Sequence, residues 1–188
     1  MSISTAFSQK SYGLKGGFNI SQLAFYEEDY YDFRASGHIG MFSHMRLPGS
    51  RYTNLCVELL YSGEGVSDRE YYYDDELDDY TGNIVASLAL NYLQFPVYLK
   101  FPLVQDYFTW DVGAQYGLLL NAAWKEDGLR TRLNLNEFRP VFALLGGISA
   151  NGEHFLLEMH YTYGLTSPMI DENRVKNLCF RLSLGYQF

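Results

Sequence analysis

The sequence contains no unbroken apolar stretch of ~18 residues, so no helix in it is long and apolar enough to cross a bilayer. Cysteine is nearly absent. Cys56 and Cys179 lie far apart, match no zinc spacing, and read as free thiols inside strands rather than a disulfide. Basic residues are in deficit, with 14 Lys and Arg against 22 Asp and Glu and a net charge of −8. That balance excludes the basic stripe needed to hold a nucleic-acid backbone. The opening MSISTAFSQK lacks the charged head and long apolar stretch of a complete signal peptide. None of these absences excludes a membrane β-barrel, which crosses with short alternating strands and a weak hydropathy signal.

What is abundant is glycine (17), tyrosine (17) and phenylalanine (13), a composition that favours strands over helices. Apolar residues alternate with polar or small ones. In VKNLCFRLSLGYQF, Leu178, Phe180, Leu182, Leu184, Tyr186 and Phe188 oppose Asn177, Cys179, Arg181, Ser183, Gly185 and Gln187. The same period of two runs through SYGLKGGFNIS, FRASGHIGMFSHM, NLCVELLYSGEG, YFTWDVGAQYGLLLN and HFLLEMHYTYGL. NIVASLALNYLQFPVYLKF changes phase, with Ile84, Ala86, Leu88 and Leu90 on the apolar side and then Leu93, Phe95, Val97, Leu99 and Phe101. A bulge near Asn91-Tyr92 would reconcile its two halves, and Pro96 is awkward within it. RPVFALLGGISA is apolar on both faces and its register stays open. These segments make eight strands.

The connections alternate between short (47–50, 102–106, 150–153) and long and polar (24–32, 66–82, 125–137, 166–174). Short turns at one end and long loops at the other describe an all-β, antiparallel, up-and-down transmembrane barrel with short periplasmic turns and long external loops. Its domain spans 11–188. Residues 1–10 read as an export-signal tail, with Ala6-Phe7-Ser8 as a small-x-small cleavage site, or as a disordered N-terminus. The polar face is sparse, glycine-rich and dotted with single charges, which suits a narrow lumen better than a solvated surface. Lys15, Glu58, Lys100, Asp111, Glu158 and Arg181 are the expected lumen network. Charges in such a space must pair, with Arg181–Glu158 and Asp111–Lys100 the expected contacts. Tyr12, Phe108, Trp110, Tyr186 and Phe188 suit an interfacial girdle. His38, His44, His154 and His160 read as satisfied or solvent-facing, with no zinc spacing.

The stretches YGLKGGFNIS, VELLYSGEG, LQFPVYLKF and LSLGYQF, in that order over nearly the whole chain, resemble the PorT-like outer-membrane β-barrel family of Gram-negative bacteria, related in shape to OmpX-type barrels. The resemblance implies residence in the outer membrane and insertion by the barrel-assembly machinery, with Phe188, Tyr186 and Leu184 as the assembly signal. It implies no defined activity and no cofactor. The expected function is a non-enzymatic outer-membrane barrel, structural or surface-binding, its lumen plugged by charged side chains. Its partners would be the lipid bilayer, lipopolysaccharide and a surface glycan or protein.

Surface binding rests on DREYYYDDELDDY, where Tyr71, Tyr72, Tyr73, Asp74, Asp75, Glu76, Asp78 and Asp79 crowd an external loop. Asp74, Asp75, Asp78 and Asp79 offer oxygens to Ca²⁺, but the run lacks the glycine and spaced glutamate of an EF-hand, leaving at most an irregular, weak site. Two other classes compete. A lipid A-modifying enzyme would need a nucleophile and base, for which Ser43-His44 or His160 with Ser167 supply atoms but no motif. A soluble lipocalin-like barrel would turn the apolar faces inward.

Overall fold

The computed structural model describes residues 10–24, 32–50, 52–74, 79–104, 107–126, 129–170 and 175–188; at 69–74, 79–85 and 104 it describes the backbone alone. The strands are β1 (Lys10–Ala24), β2 (Asp32–Arg46), β3 (Asn54–Asp74), β4 (Asp79–Val104), β5 (Phe108–Glu126), β6 (Leu129–Arg132), β7 (Val141–Asn151), β8 (Phe155–Gly164) and β9 (Lys176–Gln187). All neighbours are antiparallel. The order β4-β3-β2-β1-β9-β8-β7-β5 is closed by β4 pairing with β5, giving an eight-stranded barrel, while β6 is a short rim strand on β5. Closure between first and last strands runs from Gly13↔Gln187 to Ala24↔Lys176. It leaves no barrel edge unpaired, which removes the aggregation hazard of an open sheet.

Orientation follows the alternation. Leu182, Leu157 and Val112 are 39%, 46% and 56% exposed, whereas Arg181 and Glu158 are 0% and 1%. The apolar side faces out and the polar side lines the axis, the reverse of a soluble lipocalin-like barrel. Both cysteines are free and buried on the inner side.

Two expectations are corrected. β4 does not change phase: Ala86, Leu88 and Leu90 are buried along with Tyr92, Gln94, Tyr98 and Lys100, so the alternation is continuous. The register does shift at Asn91/Tyr92, but the extra residue is Leu120 of β5, because Asn91 pairs with Asn121 and Tyr92 with Leu119. The apolar residues of upper β4 point inward because the outer half of the lumen is apolar. Leu23, Val66, Leu88, Leu90, Tyr92, Ala122, Val141 and Val175 form one buried cluster there. This also explains the two-sided apolar reading of 139–150, since Val141, Ala143 and Leu145 face in while Phe142, Leu144 and Ile148 face out.

The second correction concerns residues 66–82, expected as a long loop. The β3–β4 ladder continues beyond the end of β2 through seven further pairs, from Asp68↔Ala86 to Asp74↔Asp79. At ~3.3 Å per residue, this two-stranded ribbon rises ~20 Å above the neighbouring wall. Gly65, at φ +134°, marks the place where β3 leaves its regular course beside β2, a backbone conformation that a side chain would strain. Phe138 and Arg139 dock on the segment after β8: Arg139 donates to the carbonyls of Ser167 and Met169, and Phe138 bridges Met169.

Pro96 is accommodated within a constant register. The β3–β4 ladder runs Val57↔Val97 and then Leu60↔Gln94, skipping the positions opposite the proline.

Candidate functional site

The inner positions of each strand meet as stacked layers. Lowest, near the short turns, lies an ionic layer. Lys15 of β1 places Nζ 2.6 Å from Glu58 Oε1 of β3 and 2.6 Å from Glu158 Oε2 of β8. Lys100 of β4 reaches Glu158 Oε1 at 2.7 Å and Asp111 Oδ2 at 3.8 Å, and donates to Ser149 Oγ at 3.0 Å. Tyr98 donates to Glu58 and lies 3.0 Å from Glu158 Oε1. Asp111 also accepts from Thr109 and Ser149 and lies 2.8 Å from His160 Nε2. Two ammoniums thus serve three carboxylates, and the neutral donors Tyr98, Thr109 and Ser149 add further bonds, while Glu58 Oε2 has no hydrogen-bond partner among the described residues. Glycine makes room for these groups: a Cβ at Gly113 would fall 2.4 Å from the Tyr98 side chain.

Above it is an amide layer. Gln94 and Asn177 donate to Glu64. Arg181 donates to Gln115 Oε1 at 2.6 Å. His38 joins Asn19 Oδ1 at 2.8 Å and Ser183 Oγ at 2.9 Å. Uppermost is the apolar cluster, against which Leu119, Trp124, Leu133, Phe138 and Met169 pack.

Five of the six expected lumen charges, Lys15, Glu58, Lys100, Asp111 and Glu158, meet in the ionic layer. The expected Lys100–Asp111 pair is present across directly opposed residues. The expected Arg181–Glu158 pair is not. Register sets Glu158 opposite Ser183 and His160 opposite Arg181, so the arginine sits ~7 Å higher and Glu158 is held by both lysines instead. Sequence reading missed Glu64 and Tyr98, whose roles come from cross-barrel neighbours that strand periodicity does not encode. His38 and His160 are hydrogen-bonded and His154 is exposed. His44 departs from expectation, since it is buried and its Nε2 has no hydrogen-bond partner among the described residues.

Asp111, Glu158 and His160 bring ligand-type atoms within 4.8 Å of one another. The Lys100 ammonium already contacts two of these three groups, so a cation is built into the cluster. The two enzyme constellations do not assemble. Ser43 and His44 are consecutive on β2 and therefore point to opposite faces. His160 is engaged with Asp111 inside the barrel, whereas Ser167 lies in the loop beyond β8 and receives the Met169 amide. Ser149, Asp111 and His160 are joined through the aspartate, so the imidazole does not contact the hydroxyl.

On the outer surface, Tyr186 packs edge-on against Phe155 and Phe188, with Tyr12, Phe108 and Trp110 also exposed near the short turns, as an interfacial belt requires. Of the external candidates, Tyr71, Tyr72, Tyr73 and Asp74 lie on β3 and Asp79 on β4 within the projecting ribbon. Asp75, Glu76 and Asp78 lie outside the described residues.

Two crystal structures of Ail, the attachment invasion locus protein of Yersinia pestis, share this fold. The first has a TM-score of 0.51 at 14% identity, covering 96% of this chain and 99% of that one. The second, in complex with the heparin analogue sucrose octasulfate, has a TM-score of 0.52 at 14% identity and the same coverage. Neisserial surface protein A aligns with a TM-score of 0.58 at 12% identity, over 96% of this chain and 99% of that one. No curated protein matches the sequence. A family model described as outer membrane protein beta-barrel domain matches residues 7–168. With lipid-type side chains outside, charges inside and a closed ring of eight strands, the chain belongs to that outer-membrane β-barrel family and resides in the bacterial outer membrane.

Proposed function

We propose that the protein is a non-enzymatic barrel, plugged along its axis, whose work is done at the external rim and at its lipid surface. The observation that carries the plug is the succession of two unlike layers across the lumen, Lys15–Glu158–Lys100 below and Leu88–Leu90–Tyr92 above. An eight-stranded barrel has room for little beyond its own side chains, and an ion crossing this one would have to break buried pairs and then enter an apolar layer. Reconstituted into planar bilayers, the protein is expected to show no stepwise conductance; stable open-channel steps would sink the plugged reading.

The rim is bipolar. The β3–β4 ribbon carries Tyr71–Tyr73, Asp74 and Asp79 and suits a cationic protein segment or a glycan read by tyrosines. Asp74, Asp75, Asp78 and Asp79 remain the candidates for a weak Ca²⁺ site. The β5–β6 hairpin exposes Lys125, Arg130 and Arg132, with Lys125 opposite Arg130. Those cations suit the phosphates of lipopolysaccharide, and the polyanion seated on Ail is of the same chemical class. Replacing Arg130 and Arg132 with glutamine should weaken retention on lipopolysaccharide aggregates in a salt-dependent way; unchanged retention would remove this contact. Phe188, Tyr186 and Leu184 remain the proposed signal to the assembly machinery. The narrower PorT-like resemblance rests on the four stretches quoted from the sequence.

A further inference from the structure

A groove of about 290 Å³ lies on the lipid-facing wall, across the seam where β9 closes on β1. It is lined by Leu14, Gly16, Ile39, Phe155, Leu184 and Tyr186. Register explains it. Leu184 and Ile39 stand to either side of Gly16, and Leu14 precedes it on the same face of β1, so large side chains surround a position that has none. Below, Phe155, Tyr186 and Leu14 form one row across β8, β9 and β1, at the aromatic belt near the short turns. The groove therefore runs from the belt of the periplasmic leaflet into the hydrocarbon.

Packing within the barrel does not require this glycine. A Cβ at the lumen-facing Gly13, Gly17 or Gly40 would fall 1.9–2.2 Å from a backbone oxygen, so those positions admit no side chain. A Cβ at Gly16 would meet the His38 carbonyl oxygen at 3.3 Å and Ile39 Cγ1 at 3.9 Å, a contact relieved by a few tenths of an ångström. Glycine weakens a strand interior and marks places where a ligand approaches the backbone closely. Lys10 lies on the same phase of β1, exposed at the rim. Six residues at ~3.3 Å, on a strand tilted ~40°, set Gly16 ~15 Å deeper than Lys10, one leaflet of a ~30 Å hydrocarbon core. A phospholipid with its phosphate at the level of Lys10 thus brings a chain to Gly16. A two-fold contact centred on the seam would instead set hollow against hollow.

We propose that this groove is a binding site for one phospholipid of the periplasmic leaflet, its acyl chain laid over Gly16 between Leu184 and Ile39. The lipid covers the seam between the first and last barrel strands. It favours the closed barrel, which alone presents the groove.

The test places the full chain in nanodiscs of phosphatidylethanolamine and phosphatidylglycerol. Native mass spectrometry then counts the phospholipid left on the barrel as the disc is stripped away. The expected result is one lipid retained by the wild type and by Gly146→Leu, which adds its side chain to open space on the outer face of β7, away from the groove. Gly16→Leu fills the hollow and should cut the retained fraction several-fold, because the chain loses its packed surface. Heat-modifiable gel mobility verifies that each variant is folded. In the wild type itself, nuclear Overhauser cross-peaks from acyl methylenes should be stronger at Gly16 than at Gly146, a readout that needs no variant. Equal retention in Gly16→Leu and wild type overturns the proposal, as do equal cross-peaks at the two glycines. A dimer lost in Gly16→Leu identifies a second copy as the occupant and overturns it too. None of these readouts depends on the plugged lumen, so the two readings fail separately.

Discussion

Glu158 shows what one side chain does in this lumen. Its two oxygens receive Lys15 and Lys100 from strands on either side, and the Tyr98 hydroxyl lies beside it. Glu158→Gln removes the charge while keeping the shape, leaving two buried ammoniums with Glu58 and Asp111 as their remaining counter-ions. Breaking a buried pair in this way costs about 3–5 kcal/mol, and here one residue serves two partners. Urea unfolding in micelles should show a loss of that order; a variant within experimental error of wild type would mean the pairs are solvated. The charges that meet here were legible because each falls in the polar phase of its strand. Which pairs form was not legible. The two-residue offset between Arg181 and Glu158 is a property of β8–β9 register, and no single strand contains it.

At the scale of the element, β4 and β5 explain each other. Apolar residues occupy the inner positions of upper β4, which reads as a phase change wherever an apolar face is equated with an outer face. The bulge is real but belongs to β5, where Leu120 and Asn121 both turn outward before Ala122 returns to the lumen. This makes two deletions unequal. Removing Leu120 restores regular alternation and keeps Ala122 inside, so the barrel should still form and keep its heat-modifiable mobility. Removing Asn91 reverses the facing of Ala86, Leu88 and Leu90 against everything below and should abolish folding. Equal behaviour of the two deletions would contradict this placement of the bulge. The projecting β3–β4 ribbon is a related lesson. Its acids and tyrosines looked like a loop, yet the ladder from Arg69↔Ile84 to Asp74↔Asp79 continues as strand.

In the whole molecule the layers of the proposed plug would act in series, so opening one should not open the barrel. Leu90→Ser with Tyr92→Ser empties part of the apolar layer and leaves the ionic layer intact, and bilayer recordings of that variant should remain silent. Conductance from that variant alone would mean the ionic layer is no barrier. The sequence by itself determined the fold class, the eight strands of the barrel and, outside β4 and β7, the side of each strand that meets lipid. All of these follow from period two and from segment lengths, which are local. Only the tertiary structure decided that the upper lumen is apolar, that Glu158 serves two lysines and Arg181 none of the acids expected of it, and that Leu14, Gly16, Ile39 and Leu184 border one groove across the closing seam. Those are contacts across a closed ring, fixed by the register of eight strands together, and local periodicity carries no record of them.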